Sequence, residues 1–218
     1  MSALSIAQYF PFPRVRIVNQ WVSEQADQAW IEAVPDQRFH PICHICGIKG
    51  TQVHSQEKRS FRDLNLASAR VWIQCQYRKI ACPQCQRTPI EDLDLFDPYL
   101  RVTKRLARYI YELCKIMTVQ EVAQHLGLDW KTVKAIDQRF LEKQYGQTDY
   151  QGLRILAIDE VSIRKGHRYL TVVLDYLTGR VVWVGKDRKA RTLKKFFSGM
   201  NKEPVSYTHL RAHETVLD

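Results

Sequence analysis

Four cysteines and two adjacent carboxylates are the residues of this sequence whose types and spacing best suit chemistry. The cysteines stand as "CHIC" (Cys43, Cys46) and "CPQC" (Cys82, Cys85), and each pair can chelate from a single turn. Tetrahedral zinc takes four such ligands at about 2.3 Å per sulfur. The 35 residues between the pairs leave room for strands that bring the two knuckles together. Redox chemistry or disulfides are the alternatives. A reducing compartment disfavours disulfides, and neither pair sits in a thioredoxin-like βαβ pattern. His44 and His54 are further candidate ligands, unneeded where four thiols are at hand. Zinc held by Cys43, Cys46, Cys82 and Cys85 is expected to be structural, in a small domain too poor in apolar residues to fold without it.

The carboxylates, Asp159 and Glu160, interrupt an apolar strand pattern in "RILAIDEVSIRKGHRYLTVVLDYLTGRVVWVG", residues 154–185. Acids in such a run are costly unless something pairs with them, either a turn amide or a bound cation. Alternation places Glu160 on the face opposite Asp159, and Asp175 reads as a residue beside a turn. The basic turn at Arg164, Lys165, His167 and Arg168 reads as a solvated hairpin end able to approach a phosphate.

Several elements must position these groups. Residues 13–40 alternate as two half-buried strands, "PRVRIVNQWVSE" and "QAWIEAVPDQ". The segment "TQVHSQEKRSFRDLNLASA" and the strand "RVWIQCQYRKIAC" then join the two knuckles. From "FDPYLRVTKRLARYIYELCKIM" the period changes to 3.6, with Leu100, Leu106, Tyr109, Ile110, Leu113, Ile116 and Met117 on one stripe. Asp97 is placed to cap that helix and Pro98 to begin it. Thr118 and Glu121 predict a capping box for "TVQEVAQHL", Gly127 ends it, and Asp129 caps "WKTVKAIDQRFLEKQY". Residues 153–184 read as three strands with a turn at 176–181, followed by a helix at "KARTLKKFFSGM". Cys75 and Cys114 fall inside apolar patterns and read as small core residues.

The spacing of Ala123, Gly127 and Val133 is that of a helix-turn-helix. A small residue sits where two helices cross, a glycine turns the chain, and a branched residue fills the interface. The exposed face of the second helix would carry Trp130, Lys131, Thr132, Lys134 and Arg139, reading base edges near its start and gripping phosphates elsewhere. An ordinary helical hairpin with a solvated basic face is the plainer alternative. The basic stripe of "RVTKRLARY" favours DNA.

Net charge is +10 over 218 residues, with +5 in residues 1–90, −4 in 91–100 and +7 in 151–203. Such a chain suits a polyanionic partner through a general electrostatic attraction. No apolar run approaches the roughly 18 residues that span a bilayer, and the N-terminus lacks the order of a signal peptide. The expected location is the cytoplasm, away from membranes.

The ordered set "CHICG", "RKIACPQC", "YIYELCKIMTVQEVAQHLGLDWKTVKAID" and the run from Ile158 to Phe197 closely resembles the ISL3 family of insertion-sequence transposases. The resemblance covers about residues 40–200. It implies a multi-domain α+β protein with an N-terminal zinc ribbon (1–90), a helical helix-turn-helix domain (91–150) and an incomplete RNase H-like α/β domain (151–203). It also implies a catalytic Asp159 that binds magnesium for in-line phosphoryl displacement on DNA. Double-stranded DNA at the element's terminal repeats would be the partner, and the intact protein is expected to be a homo-oligomer. The pattern stops near Met200, so the remaining acids of the family's triad have no counterpart. Residues 204–218 look like a foreign tail. The chain is therefore expected to be a truncated transposase, inactive alone. A non-catalytic zinc-ribbon and helix-turn-helix regulator is the rival reading.

Overall fold

The computed structural model describes residues 10, 12–50, 52–164, 168–200 and 206–209. They fall in two compact units, residues 1–140 and 141–218. Among the described residues, four helices and two four-stranded sheets make a mixed α/β structure. The side chains of the basic turn at Arg164, Lys165, His167 and Arg168 lie outside the described residues, as does most of the 204–218 segment.

In the first unit, strands β1 (Val15–Val22), β2 (Gln28–Pro35), β3 (Gln52–Arg62) and β4 (Arg70–Ala81) form a sheet ordered β1-β2-β4-β3. β2 and β4 run parallel, and the other pairs are antiparallel. The predicted alternation holds. Ala29, Ile31 and Ala33 of β2 and Val71, Ile73, Cys75 and Tyr77 of β4 are buried on one face. Fully burying one such side chain contributes about 1.5–3 kcal/mol. Leu93, Leu95 and Phe96 close this core from the segment after the second knuckle, with Phe96 stacked on Phe61 at 4.0 Å. Cys75 is indeed a core residue, and burial pushes its thiol up to about 12.

This core contains none of the paired cysteines, which form a separate cluster with Ile80. The expectation that the N-terminal domain lacks apolar residues is thereby corrected, because strand alternation supplies a hydrophobic face of its own.

Three helices complete the unit: α1 (Lys104–Cys114), α2 (Val119–Leu126) and α3 (Trp130–Tyr145, which continues past the unit's end). The predicted start of α1 at Asp97 and Pro98 is corrected. The cap is Thr103, whose hydroxyl accepts the Leu106 N–H at 3.2 Å. Residues 96–103 instead close on themselves, Phe96 bridging Thr103, while Val102 bridges Arg62 at the end of β3. Helix α1 is therefore shorter, and its stripe rotates. Leu106 and Ile110 are buried as expected, but Tyr109 is 41% and Ile116 80% exposed. Tyr111 faces inward and stacks on Phe140 of α3 at 4.9 Å.

Asp63, at the end of β3, ties sheet to helices. Its buried carboxylate accepts hydrogen bonds from the Thr103 hydroxyl at 2.6 Å and from Arg105 Nε at 2.8 Å. The acidic stretch after the second knuckle is also used internally, since Glu91 pairs with Arg78 at 2.5 Å and Asp94 with Lys104 at 2.8 Å.

In the second unit, β5 (Ile155–Arg164), β6 (Arg168–Asp175), β7 (Val181–Lys186) and β8 (Ser206–His209) form a sheet ordered β7-β6-β5-β8. The three predicted strands and helix α4 (Ala190–Ser198) are all present. Phe196 and Leu193 of α4 pack on Leu156, Ile158 and Val173, which covers one face of the sheet. Gly185 permits that approach, because a Cβ there would lie 2.5 Å from the Thr192 methyl. Val161 and Val184 on the other face remain 44% and 49% exposed. Residues 206–209, which the sequence reading sets aside with the tail, pair parallel to β5 from Ile155 to Ile158.

Candidate metal centre and nucleic-acid interface

The two cysteine turns are built alike. Cys43 N–H donates to the Ile48 carbonyl and Gly47 N–H to the Cys43 carbonyl, while Cys82 N–H donates to Arg87 and Gln86 N–H to Cys82. Gly47 and Gln86, each following the second cysteine of its pair, both adopt positive φ, +72° and +51°. Within each turn an amide points at the first sulfur, from Ile45 to Cys43 Sγ at 3.3 Å and from Cys85 to Cys82 Sγ at 3.4 Å. The long pairing of β3 with β4 carries the first turn to the second.

The four sulfurs lie within 4.8 Å of one another, with Cys43 to Cys85 at 3.8 Å and Cys46 to Cys82 at 3.5 Å. A tetrahedron with metal–sulfur bonds of about 2.3 Å has an edge of about 3.8 Å. The donor set and spacing therefore fit zinc. The Cys85 amide leads in lowering the Cys82 thiol to about 7, whereas the Cys46 thiol leads in raising Cys85 to about 12. Four thiolates this close repel one another, so a divalent cation among them is what lets all four ionise. His44 does not join them, since its Nδ1 lies 2.8 Å from the Ile90 carbonyl and braces the loop. Among the described residues the four cysteines form the single group able to hold a metal ion.

The helix-turn-helix geometry follows from local chemistry. Thr118 and Glu121 make the predicted capping box, and Gly127 takes the left-handed conformation at φ +63°. Asp129 Oδ1 accepts the Lys131 N–H at 2.9 Å and starts α3. Ala123 and Val133 are buried where the helices meet, in one core with Leu106, Ile110, Val122 and Ile136. Trp130, Lys131, Lys134 and Arg139 are exposed, and Thr132 is half-buried. Lys131 Nζ stands 6.0 Å from the centre of the Trp130 ring. Arg139 also donates to the Pro98 carbonyl at 3.3 Å. Two of the four cations of the basic stripe "RVTKRLARY" are engaged internally, Lys104 with Asp92 and Asp94 and Arg105 with Asp63.

Asp159 is half-exposed on β5, opposite Val172 of β6, and its Oδ1 accepts the Glu160 N–H at 2.8 Å. Alternation puts it on the face away from α4. Among the described residues Asp159 belongs to no group of three or more side chains that could hold a metal ion. Asp175 is buried and shapes the turn after β6, accepting from the Thr178 hydroxyl at 2.6 Å and from the Leu177 N–H at 3.2 Å.

Residues 91–141 match the family model described as the helix-turn-helix domain of transposase family ISL3, a span that begins soon after the second cysteine turn and takes in α1, α2 and most of α3. Residues 156–209 match the DDE model of the same family, described as a transposase. Two segments of the chain thus match domains of ISL3-family transposases. It is 37% identical over 156 residues to the transposase for insertion sequence element IS1001 of Bordetella parapertussis, covering 72% of this chain and 38% of that protein. It is 28% identical over 177 residues to the transposase for insertion sequence element IS1557 of Mycobacterium tuberculosis, covering 78% of this chain and 39% of that one. The chain thus spans about two fifths of the length of these relatives. No solved structure matches it.

The matched DDE segment contains Asp159 and all of β6, β7 and α4. It runs on through Ser206–His209, part of the segment read from sequence as foreign. Among the described residues, no helix is long and apolar enough to cross a membrane. Sequence reading missed two cations of the first unit: Arg59, which strand parity puts on the same face of β3 as Phe61 but nearer its open end, and Arg87, exposed just after "CPQC".

Proposed function

We propose that this chain is the DNA-recognising portion of an insertion-sequence transposase joined to the first part of its RNase H-like catalytic domain. The observation that carries this reading is the exposed front of α3, Trp130, Lys131 and Lys134, held at a helix crossing by buried Ala123 and Val133. Such a front enters the major groove of duplex DNA, with Thr132 and Arg139 at its margins. The terminal repeats of the element are its target. Zinc on Cys43, Cys46, Cys82 and Cys85 fixes the ribbon beside it.

The catalytic half of the proposal rests on Asp159. A DDE transposase domain uses divalent metal, and magnesium takes several oxygen ligands. Asp159 is one carboxylate, so the described residues do not by themselves fit a magnesium site. We expect this chain alone to bind DNA without cutting it, and the longer protein to cleave and join strands, as a homo-oligomer, with Asp159 contributing one ligand. The isolation of Asp159 favours one second reading, a DNA-binding regulator without catalysis. In a longer version that cleaves DNA, Asp159→Asn abolishes cleavage and leaves DNA affinity unchanged. In a regulator it changes nothing.

The recognition half is tested by titrating duplex DNA carrying the element's ends across salt concentrations. Lys131→Ala and Lys134→Ala should each lower the slope of log affinity against log salt by about one. Unaltered slopes would refute α3 as the docking helix.

A further inference from the structure

Beside the second cysteine turn the first unit has a cleft of about 400 Å³, walled by β3, β4 and the residues before α1. Tyr77 is buried at its wall and donates its hydroxyl to Glu57 at 2.6 Å. Lys79 also pairs with Glu57, so the one carboxylate of the cleft is already matched. Arg59 and Arg87 line the same cleft, and among the described residues neither has a carboxylate within ion-pair distance. The surplus charge is positive.

The rim is as unusual as the walls. Tyr99 presents a ring that is 90% exposed, on a backbone held at φ +70°. A bulky residue in that region is strained, and strain of this kind collects where a ligand is met. An exposed aromatic ring over a cationic cleft is the combination that holds unpaired bases, by stacking on the ring and by charge on the phosphate. A duplex keeps its bases stacked inside and would offer this cleft phosphates alone.

We propose that this cleft binds an unpaired nucleotide of single-stranded DNA, with the base against Tyr99 and the phosphate between Arg59 and Arg87. The proposal deepens the reading of the chain as a DNA-binding transposase portion, and adds to it a second site specific for unpaired strand. Such strand occurs wherever a DNA end frays or is cut.

The test uses the zinc-loaded chain and a fluorescent oligothymidine, with a blunt duplex as the second probe. Tyr99→Ala and Arg87→Ala should each weaken oligothymidine binding about tenfold, and Tyr99→Ala should leave duplex affinity unchanged. Tyr99→Phe should bind as the unaltered chain does. Because Tyr99 is 90% exposed, its truncation removes little packing. Circular dichroism and zinc content confirm that each variant folds. Oligothymidine binding that ignores both substitutions overturns the cleft, while Lys131-dependent duplex binding would leave the α3 reading standing. Tyr99-dependent oligothymidine binding without duplex binding would support the cleft and sink the α3 reading. Tighter binding of oligouridine than of oligothymidine would overturn the assignment to DNA.

Discussion

Stripping metal from the four-cysteine cluster should unfasten one end of the N-terminal sheet and leave its centre folded. The reason is the separation of two cores, one of strand side chains around Ile31 and Ile73 and one of Cys43, Cys82 and Ile80. With metal bound, structural zinc contributes on the order of 10–16 kcal/mol, more than a typical domain's whole stability. The turn amides of Cys43, Gly47, Cys82 and Gln86 then exchange only through global unfolding, at about 5 kcal/mol or above. Without metal the same turns are held by their own hydrogen bonds and the burial of Ile80, worth about 2 kcal/mol. The difference, about 3 kcal/mol, is a roughly hundredfold faster exchange. Hydrogen exchange read by mass spectrometry, with and without a zinc chelator, measures it directly. Peptides from the centre of β2 and β4 should keep their protection. Unchanged exchange in the turns after verified metal loss would refute the metal's role. Equal loss of protection at Ile73 would show that the sheet depends on the metal after all.

Other substitutions probe the joints of the first unit. Asp63→Ala removes a buried carboxylate facing Arg105 and Thr103 and should destabilise the unit by about 3–5 kcal/mol in urea unfolding. Gly127→Ala meets no atom within 4 Å, so its cost is conformational, about 1–2 kcal/mol, and should appear as a lower urea midpoint. Asp36 is lowered from 3.8 to about 2, first by hydrogen bonds from the Arg38 side chain. A carboxylate with a depressed folded value adds stability above its unfolded value and loses it as pH falls through the folded one. Acid unfolding should therefore include a component between pH 3.8 and about 2 that Asp36→Asn removes.

The sequence read well where a short-range signal was sufficient. Alternation in "QAWIEAVP" and "RVWIQCQY" marked β2 and β4 and their inner faces. The capping box at Thr118, the turn at Gly127 and the cap at Asp129 each act within four residues and were placed correctly. The start of α1 was not. Asp97 and Pro98 make a good local cap, but Phe96 bridges Thr103 and Val102 bridges Arg62 of β3, and Thr103 caps the helix while bonding to Asp63 forty residues away. No local pattern encodes that choice.

The sequence by itself determined the local setting of the candidate residues, because CxxC spacing, helix caps and strand parity depend on neighbours along the chain. It placed the thiols on turns, the lysines on the outer face of α3 and Asp159 on a strand. Tertiary structure alone decided which of these groups meet. Packing of β3 on β4 brings the four sulfurs within 4.8 Å, and internal carboxylates pair with Lys104 and Arg105 of α1. The fold also gathers Arg59, Arg87 and Tyr99 around one cleft and, among the described residues, leaves Asp159 outside any metal-sized group of three or more ligands. Contacts between residues tens of positions apart depend on how whole surfaces pack, and that information is spread over the chain.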